Sequence, residues 1–277
     1  MIKEKFQLSN KVALVVGGRG LLGQRFAAAL AEYGAKVYAV DLPELSPAAR
    51  KSKSLSIRNK IIQKSVDVTK KESVEKLVYD ILKESSKIDI LVYSVTAKSP
   101  DFYKPFTESS LEGWRSVLSA ELDGLFLVSQ SVGKFMESAK RGSIIFLSSI
   151  YGIVGNDQRI YKNTNLAQLY ADAKGKKAGR IFSAAVYAAA KGAVISMTRF
   201  LAAYWGETNI RVNCISPGGI SHPEEDEQFV KRYSNHVPLG RKAGIDDISG
   251  AVIYLASDAS SYVTGHNLVV DGGWTAW

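Results

Sequence analysis

Three tyrosines in this chain are followed four residues later by a lysine: Tyr79/Lys83, Tyr170/Lys174 and Tyr187/Lys191. Residues at i and i+4 share one face of a helix, which brings an ammonium within range of a phenol. A free phenol titrates near ~10 and is a poor base at neutral pH. Lowering that by ~3 units takes about 4 kcal/mol of selective phenolate stabilisation, which a neighbouring Lys⁺ and a cationic cofactor ring can together supply. Such a pair shuttles a proton at a carbonyl or an alcohol. With 13 tyrosines present the spacing also arises by chance, so the surrounding elements must choose among the three.

Those elements alternate from end to end. The continuous apolar run at 12–16 reads as a buried strand, and 36–41, 61–66, 88–93, 143–147, 210–215 and 267–270 read as further strands. Helical spacing covers 21–33, 70–84, 111–138, 187–205 and 245–257. The fold class this predicts is α/β: a Rossmann-like doubly wound parallel sheet with helices on both faces. The irregular stretches 94–106, 155–183 and 218–238 each follow a strand, at the end of an open α/β sheet where ligands bind.

At 277 residues and 46% hydrophobic content, one large domain is expected, with no linker dividing it. The single cysteine, Cys214, excludes an internal disulfide framework and fits a reducing cytoplasm. No signal-peptide pattern and no apolar run near the ~20 residues of a membrane helix are present. The net charge of +9 is concentrated. Arg50, Lys51, Lys53, Arg58, Lys60 and Lys64 lie in one acid-free stretch, and Arg159, Lys162, Lys174, Lys176, Lys177 and Arg180 lie in another beside Asp157 and Asp172. No nucleic-acid module accompanies them, so the basic loops are either solvated or face an anionic small molecule.

The first strand runs into Gly17-Gly-Arg-Gly-Leu-Leu-Gly23 and then a helix, whose free N–H groups suit a pyrophosphate. Asp41 closes the second strand, 18 residues after Gly23, where a carboxylate accepts from a ribose diol and repels a 2′-phosphate. That favours NAD. Arg19, in the glycine turn, keeps NADP open as the alternative, because a guanidinium neutralises such a phosphate. Asp67 either reaches the adenine edge or caps the helix that follows.

In this order the motifs make the chain resemble the short-chain dehydrogenase/reductase family over nearly its whole length. The matching pieces are the glycine turn, Asp67-Val68, Gly142-Ser-Ile-Ile-Phe-Leu-Ser-Ser149, Tyr187-Ala-Ala-Ala-Lys191, Arg211-Val-Asn-Cys-Ile-Ser-Pro-Gly218 and Val270-Asp-Gly-Gly273. The resemblance implies about seven strands, a nicotinamide cofactor, no metal and a homodimer or homotetramer. It implies that Tyr187 moves the proton, Ser149 orients the oxygen and Lys191 binds the nicotinamide ribose. The cofactor would lie against Gly17, Arg19, Gly20, Leu22, Gly23, Asp41, Leu42, Asp67, Val68, Ser94, Tyr187, Lys191, Pro217, Gly218 and Ile220. The family places its Asn-x-x-Ser-Pro-Gly segment 26 residues after the catalytic tyrosine, and Tyr187 to Asn213 spans 26. Tyr79 then reads as an amphipathic-helix residue and Tyr170 as part of a loop.

Three features depart from the family. Ser149 and Tyr187 are about 25 residues further apart than usual, which marks an insertion at about 157–182 before a substrate loop at about 219–238. Tyr93-Ser-Val-Thr96 stands where Asn-Asn-Ala-Gly is expected, and Glu121 stands at the asparagine of the catalytic tetrad, where it either preserves the main-chain carbonyl that serves a water or places a carboxylate near Lys191 that weakens its effect on Tyr187. Asp101-Phe-Tyr-Lys-Pro-Phe106, Ser149-Ile-Tyr-Gly152, Asp157-Gln-Arg-Ile-Tyr161 and the tail Asp271-Gly-Gly-Trp-Thr-Ala-Trp277 resemble a subgroup that modifies flagellin and surface-polysaccharide sugars. The expectation is an NAD(H)-dependent oxidoreductase acting on a secondary alcohol or ketone of a sugar, phosphorylated or nucleotide-linked, held by Tyr151, Arg159, Lys162 and Arg180. Two alternatives stand beside it: a catalytically weakened cofactor-binding scaffold, and a 3-oxoacyl-thioester reductase using NADPH.

Overall fold

A computed structural model describes residues 1–43, 60–164, 166, 169 and 180–277. Tyr170/Lys174 lies outside them, as do Arg50, Lys51, Lys53, Arg58, Asp172, Lys176 and Lys177. The strands are β1 (Val12–Val16), β2 (Lys36–Asp41), β3 (Ile61–Ser65), β4 (Ile90–Tyr93), β5 (Gly142–Leu147), β6 (Ile210–Pro217) and β7 (Asn267–Val270). They form one parallel sheet in the order β3-β2-β1-β4-β5-β6-β7. The helices are α1 (Leu21–Glu32), α2 (Lys71–Ser85), α3 (Leu111–Leu118), α4 (Gly124–Ala139), α5 (Ala185–Trp205), α6 (Glu227–Ser234) and α7 (Ser249–Ala256).

Every residue of β1 is buried because both faces of the sheet are covered. Val12, Leu14 and Val16 point into a core shared with α2, α4 and α5, while Ala13 and Val15 point into one shared with α1 and α7. This is the strand's two-residue period expressed as two cores.

Three expected elements differ. The helix expected over 111–138 is interrupted by a π turn, Ser119–Asp123, between α3 and α4. The helix expected over 245–257 is a 3₁₀ turn, Ile245–Asp247, followed by the shorter α7. Inside the stretch read as irregular, α6 forms under the cap of Asp226, whose carboxylate accepts from the Gln228 and Phe229 N–H groups. Among the described residues no helix is long and apolar enough to cross a membrane.

Candidate active site

The sheet changes direction of growth between β1 and β4, which opens a crevice at their carboxyl ends. Gly17 enters it with φ of 76°, and a Cβ there would lie 2.5 Å from the Ser94 carbonyl oxygen, so only glycine fits. The Ser94 N–H in turn donates to Val16 O at 2.9 Å. Gly20 caps α1 without a side chain. The N–H groups of Leu21, Leu22 and Gly23 begin that helix with no preceding turn to accept them, which suits an anion.

Beside this terminus, Asp41 Oδ2 accepts from the Arg19 N–H at 3.1 Å and Oδ1 from the Leu42 N–H at 2.9 Å. The Arg19 guanidinium crosses the ends of β2 and β3, donating to Leu42 O and Lys64 O, each at 3.4 Å. Its Nε is buried with no hydrogen-bond partner among the described residues. Asp41 therefore keeps lone pairs for a diol while a cation stands next to it, and the crevice fits a dinucleotide.

Asp67 is more committed than expected. Its Oδ1 accepts from the Thr69 N–H at 3.1 Å and the Thr69 hydroxyl at 2.6 Å, while Lys70 Nζ meets Oδ2 at 3.1 Å. The Thr69 hydroxyl, aided by Lys70, holds this carboxyl below its usual range. It closes a local turn and does not cap α2, whose N-cap is Lys70. The Val68 side chain is part of the core, so only its main chain is open to a ligand.

Tyr187 and Lys191 lie one turn apart on α5, the phenol half-buried and the ammonium 2% exposed. Lys191 Nζ stands 5.4 Å from the centre of the Tyr187 ring. It donates to Leu147 O at 3.2 Å and Val95 O at 3.3 Å, and it meets Glu121 Oε2 at 2.9 Å. Two N–H groups thus meet main-chain oxygens, while the Glu121 contact is an ion pair without hydrogen-bond geometry, Oε2 having no hydrogen-bond partner among the described residues, so one N–H remains for a ribose. The other Glu121 oxygen accepts from the Ala97 N–H at 3.3 Å.

Glu121 lies in the π turn, a widened turn of the kind that gathers at functional sites. The Tyr93 hydroxyl donates to Ala120 O within that turn at 2.6 Å. Burial, then the nearby Glu121 and Asp123 charges, pushes the Tyr93 pKa up and keeps it a neutral donor. Two of the three departures from the family pattern, Tyr93 and Glu121, therefore form one packed unit behind Lys191.

Ser149 opens a 3₁₀ turn, Ile150–Gly152, with its Oγ accepting from the Tyr151 N–H at 3.2 Å. Two contacts fix this turn on α5. Ser148 Oγ donates to Lys191 O at 2.8 Å, and Gly152 passes so close that a Cβ would lie 2.6 Å from the Lys191 carbonyl carbon. Tyr187 packs edge-on against Phe102 with ring centres 6.3 Å apart. Tyr79, 64% exposed on α2, belongs to the amphipathic outer face of that helix.

On the far side of the crevice, the Gly218 N–H donates to Val270 O at 3.0 Å, the Gly219 N–H to the Tyr233 hydroxyl at 2.5 Å, and Ile220 bridges to Ala243. Pro217 and Gly218 are thus held by β7, Gly219 by α6 and Ile220 by Ala243. The insertion and α6 share an aromatic cluster with the tail: Ile160, Phe229, Tyr233 and Trp274 are buried in it, and Tyr151 and Tyr161 pack on them.

The three proposed anion-binding cations are all exposed. Arg159 is 86% exposed and held by Asp157 through Nε and Nη2, each at 2.9 Å. Lys162 is exposed, and Arg180 donates to Gln158 O at 3.0 Å and lies over Phe182. A buried pair went unrecognised in the sequence: Lys242 with Glu225, the ammonium resting 4.8 Å from the Phe229 ring centre and 5.4 Å from that of Tyr233. Burial lowers the Lys242 pKa against the opposing pull of Glu225. The four-residue spacing of Phe229 and Tyr233 signalled the apolar face, but the chain separation of Glu225 and Lys242 hid the pair.

A family profile described as short chain dehydrogenase matches residues 11–162, and one described as enoyl-(acyl carrier protein) reductase matches residues 172–275. The D-threitol dehydrogenase of Mycolicibacterium smegmatis is 33% identical over 274 residues, covering 98% of this chain and 95% of that one. A 3-oxoacyl-acyl-carrier-protein reductase of Chlamydia trachomatis is 33% identical over 270 residues, covering 96% of this chain and 98% of its own. A crystal structure of a short chain dehydrogenase from Leptospira borgpetersenii with bound NAD+ superposes with a TM-score of 0.81 at 30% identity, covering 97% of this chain and 94% of that chain.

Proposed function

Because the chain belongs to the short-chain dehydrogenase/reductase family, we propose that it is an NAD(H)-dependent oxidoreductase interconverting a secondary alcohol and a ketone on a sugar or polyol. The observation that carries this reading is the half-buried Tyr187 phenol one turn from the buried Lys191 ammonium, at the carboxyl ends of the central strands. When bound, a nicotinamide supplies the hydride donor or acceptor. Tyr187 passes the proton to or from the substrate oxygen. Ser149 accepts the Tyr151 N–H, which leaves its own hydroxyl proton to donate to that oxygen. Lys191 holds the ribose and keeps positive charge beside the phenol.

Asp41 supports NAD as the preferred cofactor. Asp41→Ala removes the repulsion toward a 2′-phosphate while Arg19 remains, so the NAD-to-NADP ratio of kcat/KM should fall about tenfold or more, equivalent to ~1.4 kcal/mol. Steady-state rates with both cofactors measure it; an unchanged ratio would remove Asp41 from the ribose site.

The narrower substrate is a phosphorylated or nucleotide-linked sugar in a cytoplasmic step of surface-glycan biosynthesis, a reading favoured by the subgroup motifs and the basic insertion. Exposed Phe126, Phe135, Phe200 and Tyr204 on α4 and α5 support assembly as a homodimer or homotetramer. A second reading, a 3-oxoacyl-thioester reductase using NADPH, is favoured by Arg19 and by the similarity to the oxoacyl reductase. A panel of polyols, sugars, sugar phosphates and a 3-oxoacyl thioester, each with both cofactors, separates the two. Turnover is expected with sugars or polyols and NAD(H); turnover of the thioester with NADPH alone would reverse the assignment.

A further inference from the structure

Tyr151, two residues after Ser149, and Tyr161, in the insertion, hold their hydroxyls 3.3 Å apart. Tyr161 stacks on Phe229 with ring centres 5.5 Å apart. Tyr103 packs both on this cluster and on the one that contains Tyr187. The walls beside Tyr187 are therefore aromatic, and these hydroxyls are polar points within them.

Behind Tyr161 stands Ser183. Asn156 Nδ2 donates to the Ser183 hydroxyl oxygen, and the Gln158 amide clamps the Ser183 main chain through bonds of 2.9 and 3.1 Å. The Ser183 hydroxyl also bears on the Tyr161 phenol. An amide N–H can only donate, so the Ser183 oxygen accepts and its proton is left to donate elsewhere; donation to the Tyr161 oxygen pulls that phenol's pKa down. Either hydroxyl of the Tyr161–Tyr151 pair can donate to the other, and the one that accepts keeps its own proton for a ligand. Burial raises both phenol pKa values, so both groups stay protonated donors. Hydrogen bonds aligned in one direction polarise each other and strengthen the last donor.

We propose that the Tyr161–Tyr151 hydroxyl pair, oriented from Asn156 through Ser183, binds a substrate hydroxyl next to the reacting carbon and so selects vicinal diols and hydroxyketones. The inference rests on the sugar-or-polyol reading above. It makes Tyr161, supplied by the insertion, a specificity residue of that site.

Tyr161→Phe and Tyr151→Phe keep the aromatic packing and remove only the hydroxyls. The test measures kcat/KM with NAD for threitol and for 2-butanol, which lacks the neighbouring hydroxyl, alongside NADH binding and the thermal midpoint. Each variant should lose about tenfold or more on threitol. The loss on 2-butanol should be several-fold smaller than the loss on threitol, NADH affinity should stay unchanged, and any fall in the midpoint should be the same whichever alcohol is assayed. The double variant should fall no further than the worse single one, because the two groups act as a unit. Equal losses on both alcohols, or full threitol activity in Tyr161→Phe, would overturn the role of the pair alone. A wild-type protein that turns over neither alcohol but reduces the oxoacyl thioester would overturn the substrate reading on which it stands.

Discussion

Tyr187→Phe is expected to lower kcat/KM about 10²- to 10⁴-fold, the range that positioned proton transfer contributes. Phenylalanine keeps the edge-on contact with Phe102 and the ring beneath Lys191, so packing changes little. Lys191 remains tied to Leu147 O, Val95 O and Glu121, none of which needs the phenol. NADH affinity and the thermal midpoint should therefore match the wild type. Cofactor fluorescence titration, thermal unfolding and turnover on one sugar substrate give the three readings together. A variant that turned over at the full rate would mean that another group moves the proton. One that lost cofactor affinity in parallel with rate would place Tyr187 in binding instead of chemistry.

The legible part of this molecule was the part set by local periodicity. Continuous apolar runs located inner strands such as β1 and β4 because strands covered on both faces have no polar side to break the run, whereas the edge strands β3 and β7 are only partly buried. Tyr187 was separable from Tyr79 by register, and the structure sets them apart as a half-buried and an exposed phenol. Where side chains met residues distant in sequence, the pattern was silent. The short helix α6 is mostly polar, and its partners are the insertion and the tail, so its spacing alone carried little weight. The sequence shows Arg159 only as a cation; the structure adds that Asp157, two residues earlier, holds two of its guanidinium nitrogens. Conversely, the distance from Glu121 to Lys191 could be anticipated only as proximity. Their direct contact depends on the π turn, and no residue pattern identified that turn.

Glu121→Leu is expected to destabilise the protein by about 3–5 kcal/mol, because removing one partner of a buried ion pair strands the other charge. Lys191 and Glu121 are 2% and 1% exposed, so water cannot replace the lost carboxylate. The Ala97 N–H loses its acceptor as well. Glu121→Gln keeps the volume and one carbonyl oxygen, and its loss should be smaller; denaturant midpoints at constant m-value measure both. Glu121→Asn restores the residue type of the family but shortens the side chain by a methylene. In this chain Tyr93 already holds the π turn through Ala120 O, and Lys191 is held by two main-chain oxygens and by the charge of the carboxylate. Asparagine should therefore lower turnover as well as stability, since it leaves the ammonium that serves Tyr187 less well fixed. A large gain in turnover would instead support the weakened-scaffold reading, with the carboxylate offsetting the charge that Lys191 presents to the phenol. The sign of that one change decides whether Tyr93 and Glu121 are a worn tetrad or a rebuilt one, and the close packing of the pair behind Lys191 argues for rebuilt.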